Sequence, residues 1–352
     1  MEKPRLFLSR ALFDDVHSRL AEEFEVEVWD RYQAPPYDVI VAKAKEADAL
    51  VTLLSDKVDC GVLSGARARI IAQYAVGFDN VDLSCATNRG IYVTNTPDVL
   101  TEATAEFTWA LIMSVARRVV EGDHFVRYGE WQRTSTSWHP TMLIGMELKG
   151  KVLGVVGLGR IGRRVAEIGK GFGMRVIYWS RSKHEEAERS GINYASLNYL
   201  LRTSDVISLN LPLNKETWHI INSEALKLMK RSAILVNTGR GGLIDTDALV
   251  QALRDGMIAG AGLDVYEQEP LPQNHPLTAF KNAVLAPHAA SATYESRHGM
   301  AELVVENLLT FKEGKIPPTL VNREVAEIRA PGFSRGDLNP MQPSRGITKA
   351  AV

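Results

Sequence analysis

Three side chains that can bind an anion and transfer a proton occur in order in the C-terminal half of the chain. Arg240 stands in the stretch NTGRGGLID, Glu269 in AGLDVYEQEP and His288 in APHAASAT. A guanidinium holds a carboxylate through paired hydrogen bonds, and a histidine oriented by a carboxylate can give or take a proton near neutral pH. The three residue types therefore indicate acid–base chemistry on a substrate that carries a carboxylate.

Each of the three residues also has an ordinary structural explanation. An arginine after a strand is commonly a surface charge, Glu269 stands beside a proline and could belong to a turn, and His288 is one of eight histidines. His139 and His275 each precede a proline and are weaker candidates. The order of the three residues beside a nucleotide-binding motif favours the functional interpretation.

That motif, G-x-G-x-x-G, begins at Gly157, after an apolar run rich in β-branched residues and before a helical pattern. Strand, turn and helix together are the context in which the motif predicts a dinucleotide site. Gly157 permits the tight turn, Gly159 lets the backbone approach a pyrophosphate, and Gly162 lets the helix pack closely on the strand. The pyrophosphate would lie at the helix N-terminus. The other residues of the motif are also expected to contact the cofactor: Leu158, Arg160 and Ile161. The alternative is a glycine-rich turn without a ligand.

The loop after the next predicted strand, Arg175 to Trp179, indicates which dinucleotide binds. An NAD site places Asp or Glu there to bind the ribose 2′-hydroxyl, whereas basic residues accommodate a 2′-phosphate. The loop reads SRSK, with Ser180, Arg181 and Ser182 as expected cofactor contacts, and has no carboxylate before Glu185. NADP(H) is therefore favoured, with NAD(H) as a second cofactor; the alternative is a solvated charged loop.

Strand-like and helix-like patterns alternate along the chain, which predicts two α/β units with parallel sheets flanked by helices. A long helix, Thr101 to Arg118, runs between the units, and Gly122 to Gly145 is expected to be an irregular aromatic arm. Residues 335–352 are expected to be disordered because they are rich in Pro, Gly, Ser and charge. The expected strands of the first unit are Arg5 to Ser9, Glu25 to Trp29, Ala49 to Leu54, Arg69 to Tyr74 and Ile91 to Thr94. Those of the second unit, after the glycine motif, are Arg175 to Trp179, Asp205 to Leu209, Ala233 to Asn237 and Ala259 to Val265.

The composition excludes several classes of protein. The 352 residues carry a formal net charge of −1, which gives no electrostatic case for binding nucleic acid or an anionic membrane. No stretch approaches the length of a membrane span, and the N-terminus lacks the features of a signal peptide, so we expect a cytoplasmic protein. Cys60 and Cys85 cannot build a disulfide framework and stand in no metal-binding motif. We expect them to be separate buried or surface residues, and we expect no metal site.

With these motifs the chain resembles the D-2-hydroxyacid dehydrogenases, and within them the glyoxylate/hydroxypyruvate reductases. The similarity extends from Arg5 to about Phe333 and includes the stretches AVGFDNVD and TNTPDVLTEATAE. It implies two doubly wound parallel-sheet α/β domains. A Rossmann dinucleotide-binding domain, residues 100–288, is inserted into a discontinuous flavodoxin-like substrate domain, residues 1–99 and 289–334. A dimerisation arm at about residues 122–145 implies a homodimer.

The resemblance also implies roles for individual residues. Leu54, Val76 and Gly77 would contact the substrate, and Trp138 would reach into the pocket of the neighbouring subunit or serve as a packing anchor. Arg240 and His288 would touch both substrate and cofactor. Further cofactor contacts are implied at Thr104, Leu211, Pro212, Thr217, Thr238, Gly239, Asp264, Ala289 and Ala290. The family commonly has Ala or Ser in place of Gly239, and Gly in place of Ala290.

The implied reaction is hydride transfer from NAD(P)H to a small 2-keto acid: glyoxylate to glycolate and hydroxypyruvate to D-glycerate. Arg240 would bind the substrate carboxylate, His288 would deliver the proton, and Glu269 would orient His288. Two alternatives remain on the same scaffold. One is a D-3-phosphoglycerate or other D-2-hydroxyacid dehydrogenase, and the other is a cofactor-sensing binding protein that resembles the transcriptional corepressors of this fold.

Overall fold

The computed structural model describes residues 2–334, which form two compact units. One unit contains residues 2–99 and 294–334, and the other contains residues 100–293. The expected disordered tail, residues 335–352, lies outside the described residues. Within residues 2–334, none of the helices combines the length and the apolar composition that crossing a bilayer requires.

The elements are numbered in chain order. The strands are β1 (Arg5–Leu8), β2 (Glu25–Val28), β3 (Ala49–Thr52), β4 (Ile70–Gln73), β5 (Tyr92–Thr94), β6 (Val152–Val156), β7 (Arg175–Trp179), β8 (Asn193–Tyr194), β9 (Val206–Leu209), β10 (Ile234–Asn237), β11 (Gly260–Leu263) and β12 (Ala283–Leu285). The α-helices are α1 (Asp14–Glu23), α2 (Tyr37–Glu46), α3 (Cys60–Leu63), α4 (Leu83–Asn88), α5 (Thr101–Ala116), α6 (Val119–Arg127), α7 (Glu130–Arg133), α8 (Arg160–Gly171), α9 (Glu185–Arg189), α10 (Leu197–Thr203), α11 (Ser223–Leu228), α12 (Thr246–Arg254), α13 (Tyr294–Lys312) and α14 (Val325–Ile328).

Both sheets consist of parallel strands. The first unit has the strand order β2-β1-β3-β4-β5, and the second has the order β12-β11-β10-β9-β6-β7-β8. The central strands β3, β4, β6, β9 and β10 are buried along their whole length. Mostly apolar segments form these strands, because helices cover both faces of a parallel sheet. The expected fold class, two parallel-sheet α/β domains, is confirmed.

The predicted strands all form, most of them one or two residues shorter than expected. The short edge strands β8 and β12 were not anticipated. The expectation of an irregular arm was wrong where α6 and α7 form. Neither helix has a buried residue, and α7 has only four residues, too few to show a helical period. Both helices follow a residue in the left-handed conformation, Arg118 and Gly129, which isolates them as short segments.

Cys60 and Cys85 form a disulfide, with 5.5 Å between their Cα atoms, so the expectation of two separate cysteines was wrong. A parallel bridge between Val58 and Val81 brings the starts of α3 and α4 together. The carboxylates of Asp59 and Asp82 then cap the two helices. The pairing depends on this tertiary contact, which a sequence separation of 25 residues does not reveal.

Removing the disulfide is expected to lower stability. The sequence separation of 25 residues corresponds to about 3.5 kcal/mol in the chain-entropy model. We expect Cys60→Ala and Cys85→Ala to lower the thermal unfolding midpoint by similar amounts, as measured by circular dichroism. A reductant should lower the midpoint of the wild-type protein and leave both variants unchanged. A wild-type midpoint that does not respond to the reductant would show that the bond does not stabilise the protein.

Candidate active site

The glycine motif forms the turn between the buried strand β6 and helix α8. Gly157 has φ +97°, and a Cβ there would lie 2.6 Å from the carbonyl oxygen of Asn210. A Cβ at Gly162 would lie 2.0 Å from the carbonyl oxygen of Gly157. Both glycines are therefore required by the packing of the turn itself.

Gly159, the N-cap residue of α8, differs from its neighbours. A Cβ at this position would meet no protein atom within 4 Å, so the protein does not itself require a glycine here. The open space lies at the N-terminus of a helix of 12 residues, where backbone N–H groups and the helix dipole favour a phosphate. The turn thus fits the pyrophosphate of a nicotinamide dinucleotide.

The loop after β7 presents the residues expected to read the ribose. Ser180 is nearly buried, and its hydroxyl donates to the carbonyl oxygen of Ser182. Arg181 is exposed, and within residues 2–334 its guanidinium has no hydrogen bond or ion pair. The Lys183 ammonium instead lies 5.4 Å from the centre of the Tyr194 ring. Both side chains are exposed, and Arg181, whose charge is not placed over a ring, is the stronger candidate to meet a 2′-phosphate.

The loop after β9 lies against the glycine turn. A Cβ on Gly157 would approach the Leu211 side chain to 2.9 Å. The Thr217 hydroxyl donates to the carbonyl oxygen of Pro212 at 2.7 Å and accepts the N–H of Asn214 at 2.8 Å. These bonds close the loop beside the motif. The loop contains three predicted cofactor contacts: Leu211, Pro212 and Thr217.

The turn after β10 carries Arg240. The Asn237 side chain accepts the N–H of Gly239 at 3.0 Å and donates to the carbonyl oxygen of Arg240 at 2.8 Å. The Arg240 guanidinium donates to the carbonyl oxygen of Gly239 at 2.9 Å. A Cβ on Gly241 would lie 1.9 Å from the backbone of Tyr266. The glycine therefore lets the Arg240 turn press directly against the loop that carries Glu269.

His288 and Glu269 form a hydrogen-bonded pair. The distance from His288 Nδ1 to Glu269 Oε2 is 2.7 Å, and Glu269 Oε1 accepts the N–H of Tyr266 at 2.9 Å. About a third of each side chain is exposed. His288 has a positive φ of 54°, and its N–H donates to the carbonyl oxygen of Asp264 at 2.8 Å. The structure thus brings together the two residues that the sequence placed in an acid–base pair.

The carboxyl of Glu269 is held in its ionised form. Burial, the largest single influence, raises its pKa. The hydrogen bond and positive charge of His288 lower the pKa, as do the N–H of Tyr266 and the charge of Arg240. The net effect places the pKa of Glu269 below its ordinary value. An ionised Glu269 accepts the Nδ1 proton of His288 and leaves Nε2 as the ring nitrogen that can exchange a proton with a substrate.

Asp264 anchors the start of the segment that follows His288. Its carboxylate is fully buried and accepts the N–H groups of Ala289 at 2.7 Å and Ala290 at 2.8 Å. Burial raises the pKa of Asp264 above its ordinary value, against the effect of these two bonds. The three predicted cofactor contacts at Asp264, Ala289 and Ala290 are therefore neighbours that orient His288.

Two side-chain pairings in this region were not predicted from the sequence. The first is His219 and Glu267, whose side chains hydrogen-bond to each other. Glu267 also accepts the N–H of Thr246 at 3.3 Å, and His219 donates its N–H to the carbonyl oxygen of Gly242 at 2.8 Å. The pair ties the loops after β9, β10 and β11 together. Glu267 lies two residues before Glu269, but no sequence signal connects it to His219.

The second pair is Thr108 and Thr238, whose hydroxyl oxygens are 2.7 Å apart. Thr108 also donates to the carbonyl oxygen of Thr104 at 2.7 Å. Thr104 and Thr238 are both predicted cofactor contacts, so Thr108 joins two parts of the expected site. A threonine in the middle of an apolar helix gives no signal of such a role.

Three predicted substrate contacts, Leu54, Val76 and Gly77, lie in the other unit. They follow the adjacent parallel strands β3 and β4, whose carboxyl ends meet at one edge of the sheet. The carbonyl oxygen of Val76 accepts the side-chain N–H of Asn95 at 2.8 Å. The side chain of Asn80 donates to the carbonyl oxygen of Leu53 at 3.0 Å. Polar side chains therefore hold both loops in place.

Trp138 lies in the arm, and 72% of its surface is exposed. No residue from 117 to 147 is buried. Other large apolar side chains of the arm, and of α6 just before it, are exposed in the same way: Val119, Val120, Val126, Tyr128, Trp131 and Ile144.

Known proteins are similar to this chain in both sequence and fold. Residues 109–290 match the family model of the D-isomer specific 2-hydroxyacid dehydrogenase NAD binding domain. A glyoxylate reductase of Aeropyrum pernix is 63% identical over 335 residues, which are 95% of this chain and 100% of the relative. A glyoxylate reductase of Thermococcus kodakarensis is 54% identical over 94% of this chain and 100% of the relative.

Solved structures agree with these relatives. A protein from Thermus thermophilus superimposes with a TM-score of 0.84 at 47% identity, over 90% of this chain and 99% of that one. An NADPH-dependent glyoxylate/hydroxypyruvate reductase from Sinorhizobium meliloti, in complex with NADP and malonate, gives 0.80 at 33% identity, over 92% and 98%. The chain belongs to the D-isomer specific 2-hydroxyacid dehydrogenase family and is an NAD(P)-dependent oxidoreductase that acts on CH–OH groups.

Proposed function

We propose that this enzyme reduces glyoxylate to glycolate and hydroxypyruvate to D-glycerate, with NADPH as the preferred hydride donor. The observation that carries the proposal is the hydrogen-bonded pair of His288 and Glu269, with the Arg240 turn packed against the same loop. The glyoxylate reductases of Aeropyrum pernix and Thermococcus kodakarensis, which this chain matches over almost its whole length, support the choice of substrate.

The chemistry of the step follows from the residue types. The reduced nicotinamide, when bound, supplies a hydride to the carbonyl carbon of the keto acid. Arg240 holds the substrate carboxylate through charge-assisted hydrogen bonds and polarises the carbonyl. His288 donates a proton from Nε2 to the carbonyl oxygen, so that hydride and proton together convert C=O into CH–OH. Glu269 keeps the Nδ1 proton in place throughout and stabilises the charged imidazole before the transfer.

The unit of residues 100–293 carries the proposed cofactor contacts. The glycine turn would hold the pyrophosphate, and Ser180, Arg181 and Ser182 would hold the ribose and its 2′-phosphate. Thr104, Thr238 and Asp264 would lie towards the nicotinamide. Leu54, Val76 and Gly77 of the other unit remain proposed substrate contacts by family resemblance.

The test of the proposed function is a panel of substrates and cofactors. Steady-state rates would be measured with glyoxylate, hydroxypyruvate, pyruvate and 3-phosphohydroxypyruvate, each with NADPH and with NADH. We expect the highest kcat/KM with the first two keto acids and NADPH. Turnover of 3-phosphohydroxypyruvate alone would favour a phosphoglycerate dehydrogenase. NADPH binding without turnover of any keto acid would favour a cofactor-sensing binding protein.

Arg181 is expected to determine the preference for NADPH. Loss of a charge-assisted hydrogen bond, worth about 1.5–3 kcal/mol, corresponds to a roughly 10- to 100-fold effect. Arg181→Ala should therefore raise KM for NADPH by about that factor and leave KM for NADH almost unchanged. Lys183→Ala is the matched control, because the Lys183 ammonium lies over the Tyr194 ring, and it should change neither constant much. Equal changes for both cofactors in Arg181→Ala would show that Arg181 does not read the phosphate.

We also propose that the arm forms the interface of a homodimer. Exposed apolar side chains concentrated on one segment are typical of interaction surfaces, and Val126, Tyr128 and Trp138 are each more than half exposed in the single chain. Sedimentation velocity at micromolar protein should show a dimer. A monomer under those conditions would contradict this proposal.

A further inference from the structure

Three threonines of the second unit form a chain of hydrogen bonds. Thr108 lies in the middle of α5, and its hydroxyl oxygen is 2.7 Å from the carbonyl oxygen of Thr104. The same oxygen is 2.7 Å from the hydroxyl oxygen of Thr238, the first residue after β10. Thr108 is fully buried, and Thr104 and Thr238 are 4% and 9% exposed. Water does not compete for these bonds, so their directions are determined by the three residues.

The number of hydroxyl protons determines which group donates in each of these hydrogen bonds. Each threonine hydroxyl carries one proton and can donate one hydrogen bond, while a carbonyl oxygen can only accept. The proton of Thr108 must therefore point to the carbonyl oxygen of Thr104. The bond between the two hydroxyls then needs the proton of Thr238. It follows that Thr238 donates to Thr108, and that the remaining hydrogen-bonding capacity of its oxygen consists of lone pairs.

Thr238 lies where a bound cofactor could meet the lone pairs of its hydroxyl oxygen. Ligands of open α/β sheets bind outside the carboxyl ends of the strands, and Thr238 follows the carboxyl end of β10. The next residue, Gly239, already donates its N–H to Asn237. The Thr238 hydroxyl is thus a nearly buried polar group at the edge where a dinucleotide is expected.

We propose that Thr108 is a positioning residue that orients the Thr238 hydroxyl, so that Thr238 acts only as an acceptor for the nicotinamide end of the cofactor. This inference rests on the proposed cofactor binding. The ligand group that it selects is an N–H or O–H donor. The nicotinamide end offers two such donors, the carboxamide amine and the ribose hydroxyls.

The test measures cofactor binding directly. Dissociation constants for NADPH would be determined by titrating the quenching of protein fluorescence for the wild type, Thr108→Val, Thr108→Ser, Thr238→Val and the double valine variant. Valine keeps the shape of threonine and removes the hydroxyl, whereas serine keeps the hydroxyl. We expect Thr108→Val to weaken NADPH binding roughly 3- to 10-fold, the effect of one net hydrogen bond, and Thr108→Ser to bind within about two-fold of the wild type.

The double variant tests whether Thr108 acts through Thr238. If it does, the penalties are not additive, and the double valine variant binds NADPH no more weakly than Thr238→Val. Additive penalties, or wild-type affinity in Thr108→Val, would overturn the inference. A purely structural role of Thr108 would appear as a lower unfolding midpoint with unchanged affinity. Failure of the wild type to bind NADPH is a different result, and it would overturn the proposed function as well.

A cofactor analogue identifies the donor. The 3-acetylpyridine analogue of NADP⁺ lacks the carboxamide amine and keeps the ribose hydroxyls. If Thr238 accepts from the amine, the penalty of Thr108→Val seen with NADP⁺ disappears with the analogue. If it accepts from a ribose hydroxyl, the penalty remains. A larger penalty with the analogue than with NADP⁺ would contradict the acceptor polarity.

Discussion

Replacing His288 with alanine is expected to lower kcat for glyoxylate reduction with NADPH by about 10²- to 10⁴-fold, the usual contribution of a positioned general acid. Nδ1 of His288 is bound to Glu269 at 2.7 Å, which leaves Nε2 to donate the proton in the proposed mechanism. Because Arg240 remains to hold the carboxylate, KM for glyoxylate should change much less than kcat. Steady-state kinetics at saturating NADPH separates the two constants.

His275→Ala is the matched control for this prediction. His275 is likewise next to a proline in sequence, but its Nδ1 accepts the N–H of Leu277 at 3.2 Å and caps a short 3-10 helix. We expect a small effect of this variant on kcat. Similar small effects of His288→Ala and His275→Ala would remove the proposed role of His288.

The partner of His288 gives a prediction about pH. The pKa of Glu269 in the folded protein lies below its ordinary value, which is about 4.3 in unfolded chains. The stability that its ionised form contributes is therefore fully present above that pH and is lost as the pH falls through the lower, folded-state pKa. We expect Glu269→Gln to lower the urea unfolding midpoint at about pH 7, with a smaller difference from the wild type at about pH 3. A difference that stays the same at both pH values would contradict an ionised Glu269.

Replacing Arg240 with alanine is expected to lower kcat/KM for glyoxylate by roughly 10²-fold or more. Two charge-assisted hydrogen bonds to a carboxylate, each worth about 1.5–3 kcal/mol, would account for a loss of this size. Most of the loss should appear as a higher KM, because the proposed role of the guanidinium is chiefly to bind the substrate carboxylate. His288→Ala and Arg240→Ala are thus expected to change different constants, and equal, small effects of both would contradict the mechanism.

Arg240→Lys refines this prediction. Lysine keeps the positive charge but lacks the planar pair of donors that matches a carboxylate. We expect partial recovery of kcat/KM relative to Arg240→Ala. Arg231→Ala is the control, since Arg231 is an exposed arginine that donates to the carbonyl oxygen of Gly256, and it should leave both constants close to the wild-type values. Full activity of Arg240→Lys would show that charge alone, without the paired geometry, binds the substrate.

Much of the fold could be predicted because its signals are local. The buried strands β3, β4, β6, β9 and β10 are mostly apolar segments of four or five residues. The glycine motif likewise combines a strand, a turn and a helix within a few residues. The elements without a local sequence signal were not predicted. The arm helices α6 and α7 bury no side chain, and the edge strands β8 and β12 have only two and three residues.

The sequence by itself determined the residue types of the site and their place at the ends of strands, because strand and turn patterns depend on neighbouring residues. Only the tertiary structure decided which of these residues meet. Glu269 and His288 are 19 positions apart, Thr108 and Thr238 are 130 apart, and Cys60 and Cys85 are 25 apart. Such contacts depend on the order of strands in a sheet and on how closely two loops approach each other. The loops of Gly241 and Tyr266 are an example, because their backbones are in direct contact. Hydrogen-bond direction at Thr238 depends in turn on these contacts, so it follows from the folded chain and not from the residue type.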